Sequence, residues 1–257
     1  TIPVLLSLGY DKEFSGAVVA TAAGLGVIIT PSIPFIMYGM ATGASIGKLF
    51  IAGIVPGILI AVCLMAYAVF YCIRKGEDRN RIDAKLVQLR EMGFLPLLKD
   101  SFWALLTPVI LLGGIYSGIC TATEASGVAC FYSILVGLFI YKEMNWKTML
   151  ECLGKAMKST GNIMLIVGAS GAFSWVLTRE RIASKLANTL LSITSSEVLF
   201  LIVVMLILLF LGCFIDSVPI TTIMTPILAP IAMEYGVSLV HLGGIMVSAT
   251  CIGLITP

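Results

Sequence analysis

Apolar residues fill this chain in long runs that polar positions interrupt only briefly. Runs of roughly spanning length recur at 49 to 73, 102 to 120, 124 to 141, 160 to 177 and 197 to 215. About 20 apolar residues suffice for a helix that crosses the hydrocarbon core. Membrane helices, rather than one large soluble core, therefore organise the chain. Between the runs, IDAKLVQLREMGFL (82 to 95) sets apolar side chains at near-helical spacing among charges, which suits a helix lying at the interface.

Three places break the apolar pattern, and each does so with chemistry. The first is GVIITPSIPFIMYG (26 to 39), whose centre carries Thr30, Pro31, Ser32 and Pro34. Residues 13 to 29 before it would make a helix about 25 Å long, and the prolines then deny continuing hydrogen bonds. Non-helical backbone survives in hydrocarbon only when it is buried in protein or lines a polar cavity. A re-entrant helical hairpin with its tip at 30 to 34 fits this pattern. At such a tip one half-helix ends in free carbonyls, suited to a small cation, and the next begins with free N–H groups, suited to an anion. Ser32 and Thr30 add hydroxyl oxygens for a hard cation such as Na⁺; Ser32 could equally cap the second half-helix, and both roles are compatible.

The second break, LLGGIYSGICTATEAS (111 to 126), brings Gly113, Gly114, Gly118, Thr121, Thr123 and Glu124. It is either a mid-membrane break or a turn near one face. The third, FLGCFIDSVPITTIMTPILAP (210 to 230), brings Gly212, Asp216, Ser217, Pro219, Thr221 and Thr222. Glu124 and Asp216 are acids in apolar surroundings and so candidate functional groups, with helix capping as the alternative for each.

An internal repeat accompanies the breaks. Residues 2 to 31 and 225 to 257 share a proline opening a short apolar segment, a glycine turn, an apolar helix rich in small residues and a closing Ile-Thr-Pro. Gly9 and Gly236 lie 22 and 21 residues before Pro31 and Pro257. Paired Gly/Pro-interrupted segments in two halves of a membrane protein point to a transporter with structural repeats and a central binding site.

Composition supports this reading. Of 257 residues, 59% are hydrophobic and 12% charged, with a mean hydropathy of +1.05, against about 25% charged in soluble domains. The net charge of +2 is too small to argue for nucleic acid. Arg74, Lys75, Arg79, Arg81, Lys85, Arg90 and Lys99 make 74 to 99 the best cytoplasmic loop by the positive-inside rule. The seven cysteines form no CxxC pair and read as small hydrophobes. No HExxH, paired metal ligands or Ser/His/Asp set is present, and His241 is the single histidine, so an enzyme is disfavoured. The chain starts without methionine and stops directly after an apolar run, as a piece of a longer protein would.

The segments GYDKEFSGAVVATAAGLGVIITPSIPFIMYG, GKLFIAGIVPG, TPVILLGGIYSGICTATEASGVACFYS and GCFIDSVPITTIMTPILAPIAMEYGVSLVHLGGIMV together resemble the DctM-type large membrane subunit of tripartite ATP-independent periplasmic (TRAP) transporters. The resemblance runs in order across essentially the whole chain, as the middle portion of that subunit. It implies an all-α polytopic membrane protein, an elevator-type ion transporter with inverted repeats, re-entrant hairpins and broken transmembrane helices, multi-pass in the bacterial inner membrane. It further implies Na⁺ as coupling ion, no organic cofactor or transition metal, and an organic acid as substrate. A DctP-type periplasmic binding protein would deliver that acid, beside a small four-helix DctQ-type membrane subunit. Carried onto this chain, Thr30, Ser32, Gly114, Thr121, Thr123, Asp216, Ser217 and Thr256 would bind the ion, and Ser32, Ile33, Thr256 and Pro257 the substrate.

Two departures stand out: Thr30-Pro31-Ser32 replaces the family's Pro-Pro-Ser, and Thr121-Ala122-Thr123-Glu124 its Thr-Pro-Thr-Glu. A binding-protein-independent, ion-coupled dicarboxylate or citrate transporter is the alternative. The expected organisation is a first repeat with its hairpin (1–48), a transmembrane helix and charged arm (49–101), and a broken transmembrane region (102–141). Amphipathic connectors with a helix (142–195) follow, then a second broken region with the first half of hairpin 2 (196–257).

Overall fold

The computed structural model describes residues 1–76, 82–83, 87, 93–181, 185 and 196–256. Most of the interfacial helix expected at 82 to 95 lies outside the described residues, as does Pro257. Every regular element among the described residues is helical: α1 (Ile2–Ser7), α2 (Lys12–Ile28), α3 (Ile33–Thr42), α4 (Ile46–Lys75), α5 (Phe94–Tyr116), α6 (Ala122–Leu135, continued by a π-turn at Val136–Ile140), α7 (Trp146–Arg179), α8 (Glu197–Gly212), α9 (Ser217–Glu234) and α10 (Leu239–Ile255). Four stretches are long and apolar enough to cross a membrane: Lys12–Thr42, Ile46–Lys75, Ala122–Ile140 and Ser217–Glu234. Shorter apolar helices cover Ser101–Tyr116, Glu197–Gly212 and Leu239–Ile255. The molecule is a multi-pass helical membrane protein, and side chains such as Val55, Leu59, Met65 and Ile73 on α4 stand exposed as lipid-facing groups do.

The chain divides into two compact units, Thr1–Val19 with Tyr67–Ser159, and Ala20–Ala66 with Thr160–Pro257. In the first, the start of α2 is tied to the end of α4. The Phe14 and Tyr71 rings stack with centroids 3.8 Å apart. The Tyr71 hydroxyl donates to Asp11 at 2.9 Å, and Lys75 pairs with the same carboxylate. Lys75 and Tyr71 hold the Asp11 carboxyl below the usual carboxylate range. Helices α5 and α6 run antiparallel: Gly114 sits beside Cys120 and Ala125, and the Tyr132 hydroxyl donates to the Trp103 carbonyl at 2.9 Å. Residues 117–121 between them are therefore a turn, with Gly118 at φ 72° supplying left-handed backbone. A capping box starts α6. The Thr121 hydroxyl accepts from the Glu124 N–H, and the Glu124 carboxylate accepts from the Thr121 N–H at 2.8 Å.

The second unit is built around α10, whose small residues let backbones touch. A Cβ at Gly253 would stand 2.5 Å from the Leu209 carbonyl oxygen, and one at Gly212 2.7 Å from that of Thr250. Helices α8 and α10 thus meet at glycine, as membrane helices do when close packing must replace a missing hydrophobic drive. Stacked Phe200 and Tyr235 rings, 4.5 Å apart, bring the start of α8 to the end of α9. The break expected over 210 to 230 accordingly separates two antiparallel helices, with the reversal at 213–216. Gly243 of α10 receives Tyr38 and Leu49, and the Tyr38 hydroxyl donates to the Leu239 carbonyl at 2.7 Å.

The contacts made along α4 settle the path through the first break. Ile29 meets Gly57, Ile28 and Phe35 meet Gly53, and Gly39 meets Leu49 and Ile46. From Ile29 to Gly39 these partners descend α4 in order, and on α10 Gly24 meets Ile255 while Tyr38 meets Gly243. The chain therefore keeps one direction through 29–32, where the sequence reading expects a re-entrant reversal. Gly53 and Gly57 explain the difference: they open a groove on α4 that takes up the residues on either side of the break.

Gly253→Ala is expected to lower stability by about 1–3 kcal/mol through backbone overpacking, measured as thermal unfolding in detergent. Gly16→Ala, with nothing within 4 Å of the new Cβ, should leave it unchanged or slightly raised. Because the Asp11 carboxyl is depressed in the folded state, its tie contributes fully above the unfolded carboxylate pKa and is lost as pH falls through the folded value. Asp11→Asn should therefore flatten the acid side of the stability–pH profile while leaving its shape near pH 9 unaltered.

Candidate functional site

Helix ends supply the polar chemistry of the second unit. Helix α2 ends at Ile28 and α3 begins at Ile33, so the carbonyl end of one and the N–H end of the other flank residues 29–32. Pro31 has no N–H to bond the Val27 carbonyl, and Pro34 occupies the first turn of α3, where a missing N–H is harmless. Exposure alternates along these residues. Ile29 and Ile33 are exposed at 44% and 50%, while Thr30 and Ser32 turn inward at 9% and 2%.

Ser32 occupies the N-cap position of α3, with φ −125° and ψ 123°, yet its side chain makes no cap hydrogen bond. Its Oγ is fully buried without a partner. Of the two roles open to Ser32 from sequence, capping is thus not the one its side chain performs. A buried hydroxyl left unsatisfied costs about 1–3 kcal/mol, and such a group sits beside the carbonyl end of α2.

The other expected residues fall as follows. Asp216 is exposed and caps α9, its Oδ1 accepting from the Ser217 N–H at 2.6 Å. Ser217 is buried, its Oγ 3.7 Å from Cys251 Sγ on α10. Thr256 is exposed, and its hydroxyl donates to the Ile252 carbonyl at 3.0 Å. Around the last turns of α10 the structure therefore gathers the end of α8 (Gly212), the start of α9 (Ser217) and Gly24, one turn before the end of α2, which packs on Ile255. Gly114, Thr121 and Thr123 belong to the first unit, in the last turn of α5, at the cap of α6 and in the first turn of α6, respectively. The Gly114 carbonyl accepts from Ser117 Oγ, Thr121 forms the capping box and the Thr123 carbonyl accepts from Ser126 Oγ. Glu124 is a capping carboxylate, the alternative that its Thr-x-x-Glu spacing offered.

Sequence reasoning singled out Ser217 and Thr221 but missed the buried hydroxyls of Thr225 and Thr250. Thr221, Thr225 and Thr250 are satisfied by bonding back to carbonyls one turn earlier, those of Ser217, Thr221 and Met246. Ser248 differs: its Oγ is buried and has no partner. Ser15, in the first unit, is the third such group among the described residues.

A family model described as "Tripartite ATP-independent periplasmic transporter, DctM component" matches residues 1–257. The isethionate TRAP transporter permease protein DctMQ of Oleidesulfovibrio alaskensis is 38% identical over 257 residues, covering 100% of this chain and 40% of its own length. The sialic acid TRAP transporter permease protein SiaT of Haemophilus influenzae is 36% identical over 256 residues, covering 100% and 41%. The C4-dicarboxylate TRAP transporter large permease protein DctM of Pseudomonas aeruginosa is 41% identical over 249 residues, covering 97% and 57%. The chain thus spans between 40% and 57% of the length of these curated relatives. With one family pattern running through every residue, and helices made for a bilayer, the chain belongs to the DctM component family of TRAP transporters.

Proposed function

We propose that this chain forms the part of a TRAP permease that handles the coupling ion and the substrate, taking Na⁺ and an organic acid inward across the bacterial inner membrane. The observation that carries the reading is the Ser32 hydroxyl, buried and without a partner, between the carbonyl end of α2 and the N–H end of α3. A helix C-terminus holds partial negative charge and an N-terminus partial positive charge. A cation at the carbonyls near Val27 would take the hydroxyls of Ser32 and Thr30 as hard oxygen ligands. The acid's anionic group would lie at the N–H end of α3. Holding both ions across one break lets each lower the electrostatic cost of the other, which is a physical basis for coupling. Asp216 commits one oxygen to capping and keeps the other for a cation, so it can orient the α8–α9 turn and also add charge to the site.

Relatives named for isethionate, sialic acid and C4-dicarboxylates all carry an anionic group, which favours an organic acid here. Delivery by a periplasmic binding protein and assembly with a small four-helix subunit belong to the same proposal. So does an elevator motion of two repeats. The equal 17-residue lengths of α2 and α10, and the left-handed Gly9 and Gly236 ahead of them, support the repeat. The parts assigned to Gly114, Thr121 and Thr123 rest on the resemblance alone.

In vesicles carrying the complete transporter, Ser32→Ala is expected to raise the Na⁺ concentration for half-maximal uptake about tenfold, equivalent to about 1.4 kcal/mol. Thr222→Ala, which removes a hydroxyl already bonded to the Val218 carbonyl, should leave it unchanged. An unaltered Na⁺ response in Ser32→Ala would contradict the assignment.

A further inference from the structure

The stripe of α10 formed by Gly244, Ser248 and Ile255 lies on one helical face, since steps of four and seven residues return to nearly the same angle. Both of its ends are anchored within the second unit. Gly244 faces Ala52 of α4, with 3.9 Å between the Ala52 Cβ and a Cβ built at the glycine, and Ile255 packs on Gly24 of α2. Ala52 adjoins Gly53, which touches Ile28 and Phe35, the residues on either side of the break. Beside Gly244, Gly243 meets Tyr38 of α3, while Ile255 meets Gly24 of α2. Ser248 lies between these two anchored positions along α10, as the 29–32 break lies between Gly24 and Tyr38 along the chain.

That serine behaves unlike its neighbours. A helical serine or threonine in hydrocarbon ordinarily donates to a carbonyl one turn back. Thr221, Thr222, Thr225, Thr250 and Thr256 all do so. Ser248 Oγ makes no such bond although it is screened from solvent. In the second unit, the buried hydroxyls without a partner among the described residues are thus Ser32 and Ser248. One lies within the break and the other on α10, between the turns that meet Tyr38 and Gly24.

We propose that Ser248 supplies a further oxygen ligand to the cation held at the 29–32 break, so that α10 grips the same ion as α2 and α3. The inference rests on the Na⁺-coupled reading above and extends it to a residue outside the motif-bearing segments. The carbonyl end of α2 gives this seam negative polarity, and neither Ser32 nor Ser248 carries a charge of its own, so a small cation suits the pair better than an anion does. The arrangement also links ion binding to helix packing, because a cation shared by Ser32 and Ser248 draws α10 onto the broken segment.

The test uses the complete transporter, purified and in vesicles, with Na⁺ or K⁺ as chloride salts. Removing an orphan hydroxyl should leave the Ser248→Ala unfolding midpoint in K⁺ unchanged or raised, because no packing atom beyond the oxygen is lost. The rise in midpoint on changing K⁺ to Na⁺ should shrink relative to the parent. Half-maximal uptake should need about fivefold more Na⁺, while the acid's KM at saturating Na⁺ stays unchanged. Ser248→Thr, which restores a hydroxyl, should recover part of the Na⁺ response. A full Na⁺-induced rise and normal Na⁺ dependence in Ser248→Ala overturn the inference. So does a raised KM for the acid with Na⁺ dependence intact, or an equal loss of midpoint in both salts, which would mark a packing role. A parent transporter that ignores Na⁺ in both measurements overturns the Na⁺-coupled reading and this inference with it.

Discussion

Backbone contact between Gly212 and Gly253 is the constraint on which the second unit depends. Lipid tails are as apolar as leucine, so helices in a bilayer gain little by hiding hydrophobic side chains from them, and close packing must hold the structure instead. With a Cβ at Gly253 only 2.5 Å from the Leu209 carbonyl, no side chain fits between α8 and α10. The same economy recurs around α10, where Gly243 admits Tyr38 and Leu49, and on α4, where Gly53 and Gly57 admit the flanks of the break. Side-chain volume left out at these positions is what lets several helix ends approach a single helix.

That closeness has an electrostatic consequence. Helix ends carry the unsatisfied carbonyls and N–H groups of their last and first turns, and packing them together concentrates partial charges of both signs in one dry region. Most hydroxyls nearby are neutralised by back-bonding within their own helices, as Thr221, Thr225 and Thr250 show. Ser32 and Ser248 are not; Ser32 lies where the backbone has lost its regular partners, and Ser248 within the intact helix α10. Fold and candidate function thus share one cause: an interruption tolerated because small residues bury it.

The sequence made the interruptions legible but not their geometry. The helix expected over 13 to 29 is Lys12–Ile28, and the break falls at the prolines, because a missing N–H stops a helix wherever it occurs. Direction after a break is another matter. The 29–32 break continues along α4, whereas 117–121 and 213–216 reverse into antiparallel pairs. Proline, glycine and serine content does not separate these cases; the partner groove does, and that is a tertiary property. Local chemistry decided the acids, since Asp216 and Glu124 both sit at N-terminal positions where a carboxylate finds backbone N–H groups within reach. Ser248 carried no signal, because whether a helical serine bonds its own carbonyl depends on a side-chain torsion that sequence does not encode.

A cation at the break between α2 and α3, held by helix-end carbonyls and buried hydroxyls, is what the proposed function requires. The most direct measurement is a pair of high-resolution maps of the complete transporter, one in Na⁺ and one in Na⁺-free choline. Density is expected only in Na⁺, within about 2.5 Å of Ser32 Oγ and a carbonyl oxygen from 27–29, in keeping with hard-cation oxygen distances. Identical maps at the break, with the Na⁺-dependent density elsewhere or the Ser32 hydroxyl turned back to cap α3, would contradict it.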